Sequence, residues 1–216
     1  MAGTLLFDLD GTLLHSDPLH YAVFKSILAD RGYDLSQEEY DTKILGRANQ
    51  LIFTERFPGE DWQVLADDKE DRFLELLGPK APPTPGIVAL LDRAEANGWN
   101  VAIVTNAPRK NATGMLSAIG LTDRFELVIA AGDAPHGKPH PAPYLMALEK
   151  LGVTADEALV FEDSAPGVGA GAAAGIFTVG MRSSLDDAAL REAGASLTIA
   201  DFTDPALEQA LARLKR

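Results

Sequence analysis

Apolar residues recur along this chain in two rhythms. From about residue 15 to 80 they fall at helical spacing, as in Leu19, Val23, Ile27 and Leu28. Asp17-Pro18 opens that helix and Arg31-Gly32 closes it. Ser36, with Glu39 three residues on, predicts a capped helix to Leu45, stopped by Gly46. Residues 48–57 predict another helix, stopped by Pro58-Gly59, and about 61–77 a fourth, stopped by Gly78-Pro79. Outside this block the apolar residues come in short continuous runs. Leu5-Leu6-Phe7, Val101–Val104, Leu127–Ile129, Ala158–Phe161, Phe177–Val179 and Leu197–Ile199 each read as a buried strand. Helical stretches alternate with them, at about 87–97, 108–119, 141–151, 167–174, 185–193 and 204–215.

Alternating helices and near-continuous apolar strands predict an α/β fold, a doubly wound parallel sheet with helices on both faces. The first strand belongs to that sheet, so the helical block is an insertion after it. The stiff run Ala81-Pro82-Pro83-Thr84-Pro85-Gly86 marks the return. The expected division is 1–14 with 81–216 as the α/β core, and 15–80 as an α-helical insertion.

Composition narrows the function. The chain has 216 residues, 46% of them apolar, and a net charge of −13. That charge argues against nucleic acid and against anionic membrane surfaces as partners. The absence of cysteine excludes disulfides, thiolate catalysis and cysteine zinc sites. The charge-free stretch Ser164–Met181 is nearly long enough to cross a membrane, but its Pro166 and five glycines predict a packed helix and a strand. Asp8 and Asp10 interrupt the first apolar run, so no signal peptide is expected and a cytoplasmic location is.

In an open parallel sheet, ligands bind outside the carboxyl ends of the strands. Polar residues gather there. Asp8 and Asp10 follow the first strand, on one face and about 7 Å apart at strand spacing. Thr105-Asn106 follow the second, Gly137-Lys138-Pro139 lies beyond the third, and Glu162-Asp163-Ser164 follow the fourth. Carboxylates, an ammonium, a hydroxyl and an amide suit phosphoryl transfer with Mg²⁺, which prefers oxygen ligands. Aspartate can serve as nucleophile, and lysine with backbone N–H groups offsets charge on the transferring group. Each group alone has a plainer reading: turn residues for Asp8 and Asp10, a helix cap for Thr105-Asn106, surface charges for Lys138 and Glu162-Asp163. Their coincidence at one sheet edge favours chemistry. A calcium loop from Asp8 fails, because its sixth and twelfth positions are Leu13 and Leu19. Gly167-Val168-Gly169-Ala170-Gly171 resembles a dinucleotide fingerprint, but two acidic residues separate it from its strand. Close helix–sheet packing explains those glycines better.

The motifs Asp8-Leu9-Asp10-Gly11-Thr12, Thr105-Asn106, Gly137-Lys138-Pro139 and Glu162-Asp163-Ser164, in this order, resemble the haloacid dehalogenase superfamily. The helical insertion resembles the cap of the branch with beta-phosphoglucomutase and phosphoglycolate phosphatase. The resemblance implies that Asp8 attacks phosphorus and that Asp10 protonates the leaving oxygen and later deprotonates water. It implies phosphate contacts from Thr105, the Asn106 backbone and Lys138, and Mg²⁺ ligation by Asp8, the Asp10 carbonyl and Asp163, with Glu162 nearby. For Asp10 to carry a proton beside Mg²⁺, its side chain should turn away from the metal. Arg47 is a candidate substrate contact from the cap, and the cap should open and close over the site. His20 sits where the mutases carry a cap histidine, and Arg109 and Asn111 adjoin the second motif. Ala142-Pro143 departs from the acidic residue usual in that loop. Dehalogenases lack the second aspartate, and phosphonate hydrolases use a cap lysine absent between Lys43 and Lys69. The expected function is therefore a Mg²⁺-dependent phosphatase of a small phosphorylated metabolite, as monomer or homodimer. A sugar-phosphate mutase is the alternative, and a non-catalytic binding protein the weaker third.

Overall fold

The computed structural model describes residues 3–45 and 47–214. The elements are β1 (Thr4–Phe7), α1 (Asp17–Ala29), α2 (Gln37–Lys43), α3 (Asn49–Arg56), α4 (Trp62–Leu77), α5 (Ile87–Ala96), β2 (Asn100–Val104), α6 (Arg109–Ala118), β3 (Leu127–Ile129), α7 (Ala142–Leu151), β4 (Ala158–Glu162), α8 (Ala165–Ala173), β5 (Phe177–Met181), α9 (Asp187–Glu192), β6 (Leu197–Ile199) and α10 (Leu207–Leu211). Two compact units result: Met1–His15 with Ala81–Arg216, and Ser16–Lys80.

In the α/β unit the strands are all parallel, in the order β3-β2-β1-β4-β5-β6. Strand side chains alternate between faces, and here both faces are covered. Leu6, Ala102, Val104 and Val160 pack under Tyr144 and Ala147 of α7 and Ala170 of α8. On the opposite face Phe7 stacks on Phe161 at 5.0 Å, and the rings of Phe125 and Phe202 close edge-on over them. Burying one such phenylalanine contributes about 1.5–3 kcal/mol. Parallel crossovers are right-handed, so the run β1-β2-β3 and the run β4-β5-β6 lay their helices on opposite faces. The order reverses between β1 and β4, which opens a crevice at their carboxyl ends.

The glycine run lies inside α8, where Gly171 packs so tightly on Val160 and Thr178 that a Cβ would be crowded. Helix α8 starts two residues before the sequence-based bound. Ser164 caps it by accepting from Gly167 N–H at 3.2 Å, and Pro166 sits in the first turn, where no N–H is needed. The charge-free stretch Ser164–Met181 thus becomes Ser164 as cap, α8 and β5. Among the described residues no helix is long and apolar enough to cross a membrane. The last helix is shorter than its apolar pattern predicts. Beyond Leu211 the backbone tightens to three-residue bonds, Arg213 to Ala210 and Leu214 to Leu211. Lys215, inside that expected helix, lies outside the described residues, as does the stop at Gly46.

The helical unit has its own core. Phe24, Tyr40, Phe53 and Phe73 are buried in it, and Phe24 meets Phe53 at 5.7 Å. Ser36 caps α2 through Glu39 N–H and Asp61 caps α4 through Gln63 N–H, each by its side-chain oxygen. Gly78, at φ +67°, closes α4. Lys69 is buried here, paired with Glu70 at 2.8 Å.

Candidate active site

The crevice at the sheet reversal is lined by charge. Asp8 follows β1 directly, and its N–H donates to Phe161 O at 3.0 Å, so the β1–β4 ladder runs to the edge of the site. Lys138 arrives from the long connection after β3. Its Nζ donates to Asp8 Oδ1 at 2.6 Å and to Val104 O, at the end of β2, at 2.6 Å. The same Nζ lies 2.5 Å from Glu162 Oε1. Glu162 Oε1 also accepts from Tyr144 OH at 2.6 Å. Asp8, Lys138, Glu162 and Asp163 are all buried.

Backbone contacts hold the lysine in place. Asn106 accepts Lys138 N–H at 3.0 Å through Oδ1 and donates to Lys138 O at 3.1 Å through Nδ2. A Cβ at Gly137 would come within 2.9 Å of that Oδ1. The Lys138–Pro139 bond is cis. Thr105 Oγ1 accepts from Ala107 N–H at 3.0 Å, which orders the turn into α6. Asp10 is half-buried and its backbone bridges Leu14. Gly11 has φ +69°, and a Cβ there would run into the Asp163 carboxylate. Gly167 is likewise forced, because a Cβ would occupy the place of the Glu162 carboxylate.

The electrostatics follow from burial. Desolvation pushes the Asp8 carboxyl well above its ordinary value; Lys138 opposes this, while Glu162, Asp163 and Asp10 add to it. Burial alone would lower Lys138, but Asp8 and Glu162 outweigh it and hold the ammonium charged. The Tyr144 hydroxyl is pushed up by burial and then by Glu162 and Asp8, so it stays a donor.

Asp8, Glu162 and Asp163 can each offer an oxygen within 4.8 Å of the others. At an effective dielectric of about 20, two charges at that distance repel by about 3.5 kcal/mol. With all four groups ionised, one ammonium against three carboxylates leaves a net charge of −2. A dication bound by hard oxygen donors cancels it, so the donor set fits a divalent metal.

Not every candidate from the sequence joins this group. Arg47 belongs to the helical unit, where it pairs with Glu55 at 2.7 Å and donates to Lys43 O. His20 is in the same unit, stacked on Phe73 at 4.3 Å. Arg109 pairs with Asp133 and donates to Val128 O, tying α6 to β3. Asn111 is buried on α6. Three residues of the site escaped the sequence reading. Tyr144 falls within the helix expected at about 141–151, and Ser183 and Ser184 lie between an expected strand and an expected helix. Ser184 donates to Asp163 Oδ2 at 2.5 Å and Ser183 to Gly11 O at 2.6 Å.

A family model for haloacid dehalogenase-like hydrolases matches residues 5–181. The chain belongs to this family. Among relatives of this hydrolase, a protein from Thermotoga maritima named phosphorylated carbohydrates phosphatase is 30% identical over 201 residues, 88% of this chain and 91% of that one. Phosphoglycolate phosphatase of Rhodospirillum rubrum is 31% identical over 214 residues, 94% of this chain and 88% of that one. The solved beta-phosphoglucomutase of Clostridium difficile shares the fold of this hydrolase, with a TM-score of 0.84 at 22% identity over 99% of this chain and 97% of that one.

Proposed function

We propose that this hydrolase is a Mg²⁺-dependent phosphatase of a small phosphorylated metabolite. The observation that carries the reading is the buried juxtaposition of Asp8, Lys138, Glu162 and Asp163 at the sheet reversal. Family membership and two relatives named as phosphatases support it.

An Asp8 carboxylate oxygen attacks phosphorus, and the bond from phosphorus to the ester oxygen breaks. Asp10 delivers its proton to the departing oxygen, releasing the alcohol and leaving an aspartyl-phosphate. Asp10, now ionised, takes a proton from water as that water attacks the same phosphorus. Inorganic phosphate then leaves and Asp8 is regenerated. Lys138, the Thr105 hydroxyl and the Asn106 backbone hold the phosphoryl oxygens, with charge offset where it develops. Asp8, the Asp10 carbonyl and Asp163 would hold Mg²⁺, which when bound would supply positive charge to offset the repulsion between an anionic nucleophile and a phosphate. Glu162, already bonded to Lys138 and Tyr144, acts as the counter-ion that keeps the lysine in place. The helical unit acts as a cap, and Arg47 is its contact to substrate.

The test is a screen of phosphorylated metabolites for phosphate release with and without Mg²⁺, with Asp8→Asn as control. Turnover should vanish in the variant; near-normal metal-dependent hydrolysis by Asp8→Asn removes the nucleophile assignment. The fold shared with beta-phosphoglucomutase keeps a second reading, in which the phosphoryl group returns to the sugar. Isomerised product in place of free phosphate selects it.

A further inference from the structure

The segment after β5 carries a device that the phosphatase reading does not use. Its base is pinned toward β6. Arg182 N–H donates to Ile199 O at 2.8 Å, and its guanidinium donates to Thr198 Oγ1 and Asp204 Oδ2, each at 3.0 Å. The next two residues reach toward the catalytic strand ends. Ser183 Oγ donates to the Gly11 carbonyl at 2.6 Å, and Ser184 Oγ donates to Asp163 Oδ2 at 2.5 Å. A Cβ on Gly11 would strike that carboxylate and come within 3.1 Å of Ser184 Oγ. The turn after β1, the end of β4 and the segment after β5 therefore meet at one carboxylate.

We propose that Ser184 is a positioning residue that fixes the Asp163 carboxylate for a divalent cation, while Ser183 holds the Gly11 turn against it. This rests on the reading of Asp163 as a metal ligand. The last torsion of an aspartate is broad and weakly held. A hydroxyl donating to one ionised oxygen sets the plane of the group, and such charge-assisted bonds are short and strong. Ser183 acts differently, because its acceptor is a backbone carbonyl. It keeps the turn that carries Asp10 in register with Asp163.

The experiment is direct Mn²⁺ binding to the full chain without substrate, read by electron paramagnetic resonance. Removing a hydrogen-bond partner of a metal ligand typically costs about 10–100-fold in affinity, and Ser184→Ala is expected to fall in that range. Ser184→Thr keeps the hydroxyl and should restore binding, and Ser184→Cys, a weaker donor of similar size, should lie between. The thermal midpoints of the metal-free variants should match that of the parent, separating positioning from general loss of structure. Should Ser184→Ala not fold, the Cys and Thr variants decide by the same ranking. Parent-like affinity in Ser184→Ala overturns the role of Ser184, and so does an equal loss in the Thr and Cys variants. A parent protein that takes up no Mn²⁺ overturns the metal assignment as well, which is a separate result.

Discussion

Replacing Lys138 by methionine tests the electrostatics of the crevice. The side chains are similar in length, so the change removes charge more than volume. Lys138 Nζ is the donor to Asp8 Oδ1 and Val104 O and the ion-pair partner of Glu162. Without it, Asp8 loses the ammonium that opposes its desolvation, so its carboxyl is pushed still further up, and Glu162 loses its buried counter-charge. Removing one member of a buried ion pair costs about 3–5 kcal/mol, because the remaining charge is left desolvated and unopposed. The α/β unit has about 150 residues, for which each kcal/mol lowers the thermal midpoint by roughly 2–4 °C. The expected drop for the metal-free protein at pH 8 is therefore about 6–20 °C. Trp62 lies in the helical unit and Trp99 in the α/β unit, and these are the two tryptophans of the chain. In a Trp62→Phe background, Trp99 fluorescence follows the relevant unit alone. Divalent metal should recover part of the loss, since it supplies the missing positive charge. A shift below about 2 °C would mean that the carboxylates are relieved some other way, and the account of the site as a charge-balanced cluster fails.

Three further perturbations probe its supports. Tyr144→Phe removes a donor to the Glu162 carboxylate; a hydrogen bond to a charged group is worth about 1.5–3 kcal/mol, and an unchanged midpoint would show that Lys138 and Ser164 hold Glu162 without it. Gly167→Ala places a methyl group where the Glu162 carboxylate lies and should cost about 1–3 kcal/mol of overpacking, whereas Gly169→Ala, whose Cβ would meet only Ala193 O at an ordinary 3.9 Å, should not. The Asp204 carboxyl is held below its ordinary value, first by the N–H groups of Ala206 and Ala200 and then by Arg182. A carboxyl depressed in the folded state stabilises above its unfolded value and loses that contribution as pH falls through the folded value. Asp204→Asn should therefore flatten the decline in stability below about pH 4, measured by urea unfolding at stepped pH; an unaltered slope would show that these bonds persist in the unfolded chain.

The strands were legible because a parallel sheet covered on both faces demands unbroken apolar runs. Polar residues immediately after such runs stand out, which is why Asp8, Glu162 and Asp163 were visible at strand ends. Lys138 was visible for a different reason, its place with Gly137 and Pro139 in the polar loop beyond the third strand. Contacts between distant segments left no such trace. Tyr144 has the spacing of a core residue, and its aromatic ring is one; only its hydroxyl serves the site. A serine pair after a strand has the pattern of any exposed turn, so Ser183 and Ser184 gave no warning. Side-chain roles were also out of reach. Asn106 braces the Lys138 backbone through its own amide, and that reciprocal bond depends on a turn geometry that residue types do not encode. The end of α10 eluded prediction because three-residue and four-residue bonding share nearly the same apolar spacing over one turn.

The exit from the sheet and the return to it are stitched together: Thr84 N–H donates to Leu13 O at 2.9 Å. Residues 71 apart in the chain thus sit at neighbouring backbone positions, and residues 16–80 leave and re-enter the α/β unit beside that one bond. For genetic change this makes the intervening segment a cassette. Doubling the length of a flexible insertion costs only about 0.6 kcal/mol in closure entropy, and no strand register depends on what is inserted there. Deleting residues 16–80 and joining the ends with a short glycine-serine bridge would excise the cassette while leaving the Leu13–Thr84 stitch in place. A different insert would need to preserve only that stitch.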